Sequence, residues 1–175
     1  LSVQELVQEF TVNQLLGVAA YYSLVIESIP TNGDPSRLSL TGLCGLTPDD
    51  FFFAVSMGAL ESIKSLDLSN NDIGDEGMKA LSNEIAKRLL PHLEVLNLGS
   101  NQIGRKGIES FADAIKPTKD KAAVLPSLLE LHLGNNLISE LGMRAFATAI
   151  TPTEENFSGA LGELQVLDLD NNQIG

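Results

Sequence analysis

Four stretches of the chain repeat the same alternation of apolar and polar positions: IKSLDLSNNDIGDEG at 63–77, LEVLNLGSNQIGRKG at 93–107, LLELHLGNNLISELG at 128–142 and LQVLDLDNNQIG at 164–175. Counted from an apolar first residue, Leu recurs at offsets three and five, Asn at eight, Ile at ten and Gly at fourteen. The first unit supplies Ile63, Leu66, Leu68, Asn71, Ile73 and Gly77, and the last keeps Leu164, Leu167, Leu169, Asn172 and Ile174. Leucines two apart predict a short strand with one apolar face, and such a strand is buried only when neighbouring units stack on it. After each glycine the period lengthens to that of a helix: Met78, Leu81 and Ile85, then Ile108, Phe111, Ala112 and Ile115, then Met143, Phe146, Ala147 and Ile150.

The helices' other faces carry charge at helical spacing. Asp75 with Lys79, Glu84 with Arg88 and Arg105 with Glu109 are the expected pairs. The units start at 63, 93, 128 and 164, giving periods of 30, 35 and 36 residues. The two longer ones hold insertions around 116–127 and 151–163, rich in Pro, Thr, Lys and Glu, which should emerge on one edge of the array.

Upstream, residues 37–62 form a degenerate first unit, with Leu38 and Leu40 in the strand positions and Leu43 in place of asparagine. Thr47 and Pro48 open its helix, which should run to about Leu60. Residues 1–36 read as a cap and linking turn. Ser2 with Glu5 and Thr11 with Gln14 match capping boxes ahead of helices near 3–9 and 12–28, and Pro30 to Pro35 make the turn. Gly175 falls where a fourth helix should begin, so the chain reads as a fragment with residues or a partner beyond it.

The motif over 63–175 resembles the leucine-rich-repeat family, in particular its ribonuclease-inhibitor-like subclass, whose units run from the strand motif into a full helix. The resemblance implies an α/β solenoid: a right-handed βα horseshoe arc with a parallel concave sheet, helices on the convex side and an N-terminal helical cap. Asn71, Asn101, Asn136 and Asn172 stand where the chain leaves the strand and its backbone groups need side-chain partners, so they are expected to form a structural ladder.

On such a fold the residues between the leucines line the concave face in columns. Ser65, Val95, Glu130 and Val166 make one, Asp67, Asn97, His132 and Asp168 the next, and Ser69, Gly99, Gly134 and Asp170 a third. Ser65, Val95, Glu130, Val166, Asp67, Asn97, His132, Asp168 and Asp170 are the candidate protein-binding residues. The four units set no Trp, Tyr or Arg in these columns, and the small acidic surface suits a basic or polar segment. His132 and Asp168, level on adjacent strands, are close enough to hydrogen-bond, with Glu130 beside them. That group lacks a nucleophile or metal, and the chain has two histidines and neither a phosphate-binding glycine loop nor metal-ligand spacing. Catalytic residues, cofactors and metals are therefore not expected.

Charge narrows the partners. Twenty-three acidic against eleven basic residues give a net charge of −12, which disfavours nucleic acid. Both ends are acidic: residues 1–62 and 123–175 each carry seven acids and one base, while 63–122 carry nine of each. The single cysteine, Cys44, is read as a small core residue; it excludes an intrachain disulfide and fits a reducing, intracellular compartment, cytoplasm or organelle interior. The apolar tract from Leu15 to Ile26 is too short to span a membrane and reads as a buried helix. The opening residue is Leu1, which leaves room for a targeting segment upstream. The Asn156-Phe157-Ser158 triplet matches a glycosylation acceptor in form only. These features point to a non-catalytic scaffold, a recognition module or accessory subunit of a larger assembly, acting through its concave face and the two long edge loops. The resemblance offers a regulator of a GTPase or other enzyme as the alternative.

Overall fold

The computed structural model describes residues 36–39, 41, 62–117, 123–152 and 160–175. The two helices expected before Ile29, the helix expected from Pro48 to Leu60, Leu40, Leu43, Cys44 and Asn156 lie outside the described residues.

The described residues hold five strands and three helices, in the order β1 (Arg37–Ser39), β2 (Ser65–Asp67), α1 (Gly74–Ala86), β3 (Val95–Asn97), α2 (Arg105–Ile115), β4 (Glu130–His132), α3 (Glu140–Ile150) and β5 (Val166–Asp168). The strands form one parallel sheet in sequence order. Its register sets Leu38, Leu66, Leu96, Leu131 and Leu167 level with one another. The first four of these are buried, and with Leu68, Leu98 and Leu133 they form the sheet's contribution to the core. A three-residue strand can bury only one side chain on a face, so its stability comes from the neighbouring units.

The helices supply the other half of the core. Met78, Leu81 and Ile85 of α1, Ile108, Phe111, Ala112 and Ile115 of α2, and Phe146 and Ala149 of α3 are buried. Phe111 and Phe146, at equivalent positions in successive units, stack with ring centroids 6.0 Å apart. Ala147 departs from expectation by being exposed. Its counterparts Ser82 and Ala112 are buried, because each lies on the flank against which the next helix packs, whereas α3 is the last helix described.

The helices begin two or three residues before the recurring glycines, so Gly77, Gly107 and Gly142 sit buried in the first turns. A Cβ on Gly107 would lie 2.8 Å from Asp75 Oδ1 and 2.9 Å from Ile103 Cγ2, and one on Gly142 only 2.5 Å from Ile108 Cγ2. Glycine here is a matter of close approach between units.

Two of the expected charge pairs are replaced. Asp75 does not serve Lys79: its Oδ1 accepts the backbone N–H groups of Gly104 and Gly107, each at 2.8 Å, across the gap to the next unit. The N-cap of α2 is Gly104, which has no side chain to offer, so the preceding helix supplies the cap. Glu84 pairs with Lys87 at 2.7 Å rather than with Arg88. Arg105 and Glu109 pair as expected, at 2.7 Å.

The returns from helix to strand end in a common turn. Leu93, Leu128 and Leu164 each donate their N–H to the carbonyl three residues back, of Leu90, Leu125 and Leu161, and these three acceptor residues are all buried. Since the turn is shared, the extra residues of the longer units lie before it, between Ile115 and Leu125 and between Ile150 and Leu161.

Candidate functional site

The strand residues that flank the buried leucines point away from the helices. Register aligns Arg37, Ser65, Val95, Glu130 and Val166 in one column, and Ser39, Asp67, Asn97, His132 and Asp168 in the next. The four copies of the motif alone suggest a face without arginine; pairing of β1 with β2 adds Arg37, which is exposed. The face therefore has a cation at its β1 end and carboxylates from Asp67, Glu130, Asp168 and Asp170 along the remainder. Val166 is 42% exposed and stands beside Glu130.

Three of the central column's side chains are tied to their own backbone. Asp67 Oδ1 accepts from Ser69 N at 2.9 Å, Asn97 Oδ1 from Gly99 N at 3.0 Å and Asp168 Oδ1 from Asp170 N at 2.9 Å. An Asx side chain closing on the amide two residues ahead replaces a ladder partner lost where the strand ends. Glycine in the third column gives these groups room, since a Cβ on Gly134 would lie 2.8 Å from Asp168 Oδ2 and one on Gly99 3.3 Å from Asn97 Oδ1.

His132 breaks the pattern, having no such acceptor. Its Nε2 lies 3.2 Å from Glu130 Oε2 on its own strand. The hydrogen bond to Asp168 expected from their level positions is not made: Nδ1 and Asp168 Oδ2 are 3.9 Å apart, too far for one. Asp168 is held back by its bond to Asp170 N. A catalytic reading of this trio requires a nucleophile, and Ser, Thr or Cys is absent from the described positions of the His132 and Glu130 strand and of β5 beside it. Among the described residues no group of three His, Cys, Asp or Glu side chains could hold a metal ion.

The asparagines at offset eight lie at the edge of this face. Asn101 is fully buried; its Nδ2 donates to Leu68 O and Leu98 O at 2.8 and 3.0 Å, and its Oδ1 accepts from Asn71 N at 2.9 Å. Asn136 repeats the arrangement, donating to Leu98 O and Leu133 O and accepting from Asn101 N and Ile103 N. Asn172 donates to Leu133 O and Leu169 O and accepts from Ile138 N. Asn71 donates to its own unit's Leu68 O and Ser69 O. Each amide from Asn101 onward therefore serves backbone groups of two successive units. The residue before each one, Asn70, Ser100, Asn135 and Asn171, has positive φ, between 53° and 59°. Asn tolerates that region better than other residues with a side chain, which accounts for the paired asparagines of three units.

Sequence reasoning missed Asp75. The only signal that could have found it is the absence of a capping side chain at Gly104.

Strand and helix repeating in one parallel sheet define an α/β repeat protein. The Leucine Rich repeat family model matches residues 59–82 and 90–112, and these two matches support a leucine-rich-repeat protein. Such repeats generally mediate protein–protein interaction and are typically non-catalytic. No curated protein matches the chain. Among the described residues no helix is long and apolar enough to cross a membrane.

Proposed function

We propose that this chain is a non-catalytic protein-binding module, a recognition unit or accessory subunit of a larger assembly, built as a ribonuclease-inhibitor-like solenoid whose sheet face is the concave binding surface. The supporting observation is the state of that face. Its first two columns are exposed or half-buried, and the Asx side chains are pinned to their own backbone, so the surface pays little ordering entropy when a partner docks. Its carboxylates favour a basic or polar segment. The N-terminal residues serve as the cap, and the asparagine ladder is scaffold rather than binding surface.

The test is capture from native extract with mass spectrometry, comparing the unaltered chain with a Val95→Lys, Glu130→Lys and Asp170→Lys variant. These side chains accept none of the backbone bonds described above, so the Asx pins stay intact. A stoichiometric partner retained by the unaltered chain and lost by the variant supports the reading. Equal recovery by both overturns the choice of face.

A further inference from the structure

The exposed face of the sheet has a direction. Carboxylates gather towards its β5 end, from Glu130, Asp168 and Asp170, while Arg37 stands on β1 at the other end, exposed and without an ion-pair partner among the described residues. Asp67, on the strand next to Arg37, is turned to the amide of Ser69 instead. Glu130 is set between two valines, with Val95 level with it on one side and Val166 on the other. Val95 is half-buried and Val166 exposed. Such a place suits a lysine or arginine of a partner, whose alkyl stem lies over the valines while its head meets the carboxylate. His132 Nε2 occupies Oε2 of Glu130 at 3.2 Å, and Oε1 has no partner among the described residues.

We propose that this face takes an extended segment of a partner protein whose charges run in a fixed order: an acidic residue over Arg37, a lysine or arginine over Glu130 and a second basic residue over Asp168. Register places Glu130 three strands and Asp168 four strands from Arg37. At about 4.8 Å between strands these separations are about 14 and 19 Å, which at about 3.3 Å per extended residue correspond to four and six positions along the partner. Both offsets are even, so the three charged side chains project from the same side of the segment. The inference rests on the concave-face reading and adds to it a charge order that a merely basic segment lacks.

NMR titration of the isotope-labelled 175-residue chain tests it, in roughly 0.05 M salt so that exposed ion pairs are weakly screened. The probes are short Ser- and Thr-rich peptides carrying a glutamate with lysines four and six residues from it, made in both chain directions, and the same peptides with lysine in place of the glutamate. Against a net charge of −12, the all-lysine peptides are favoured by charge alone. The glutamate peptide in its better direction should nonetheless bind several-fold more tightly, with shifts at β1, β4 and β5. Arg37→Gln should remove that advantage and Arg37→Glu should reverse it, both variants keeping the fold by circular dichroism. Preference of the unaltered chain for the all-lysine peptides, or a preference that Arg37→Glu leaves unchanged, overturns the charge order. The concave-face reading survives that result if the Val95→Lys, Glu130→Lys and Asp170→Lys variant loses the peptides. Shifts confined to residues off the sheet face overturn both. Absence of binding by every peptide up to about 1 mM overturns the charge order, and the face is then judged by capture from extract alone.

Discussion

Replacing Asp75 by alanine should destabilise the protein by about 2 kcal/mol, although Asp75 lies in α1 and the helix it supports is α2. Asp75 Oδ1 accepts two backbone N–H groups at 2.8 Å, from Gly104 and Gly107, and Gly107 is buried. Loss of an ordinary N-cap costs about 1 kcal/mol. Here the acceptor is ionised and stands at the positive end of a helix, adding roughly 0.3–1 kcal/mol. Two donors left partly or wholly out of water's reach raise the total towards 2 kcal/mol. At about 2–4 °C per kcal/mol for a chain of this size, the midpoint should fall by roughly 4–8 °C.

Urea unfolding of the variant measures the loss, and amide exchange locates it: protection should drop first at Gly104, Gly107 and Ile108 of α2 rather than within α1. Asp75→Asn keeps an acceptor oxygen and should lose about half as much. Lys79→Ala should cost under about 0.5 kcal/mol, as for a surface position, because its expected partner is engaged elsewhere. If Asp75→Ala and Lys79→Ala cost the same, or if the exchange change stays in α1, Asp75 acts within its own helix and the reasoning is refuted.

Other consequences of the packing between units are open to similar tests. Gly142→Ala gains helix propensity of about 1 kcal/mol but drives a methyl against Ile108 Cγ2 at 2.5 Å, and overpacking of about 1–3 kcal/mol should leave it net destabilised in urea melts. Asn101→Ala strands donors and acceptors of two units in a fully buried position, and should cost about 3 kcal/mol or more by denaturant titration, clearly above the half-buried Asn71→Ala. Ser100, the one residue other than Asn in the positive-φ column, has φ 56°; Ser100→Asn should raise the midpoint slightly, by a few tenths of a kcal/mol.

Much of the architecture could be read along the chain. Leucines two residues apart, followed by an apolar period of about four, locate β2 to β5 and the three helices after them, because each element's inward face is set by the pitch of its own backbone. The glycines were visible as a recurring position, but their reason was not: nothing local distinguishes a helix start that needs conformational freedom from one that must make room for Ile108. The columns of the exposed face could be listed, yet Arg37 entered the first column only through the pairing of β1 with β2.

What the amino-acid order determined by itself is therefore the repeating unit: which residues turn inward, where strand gives way to helix, and where each asparagine stands. What only the tertiary structure decided is the choice of partner by polar side chains. Asp75 passes over Lys79 for amides some thirty residues ahead, and His132 reaches Glu130 and stops short of Asp168. The physical reason is that periodicity is a property of a single backbone, fixed by local geometry. A polar contact is won or lost over a few tenths of an ångström, and here that distance is set by how closely one unit stacks on the next.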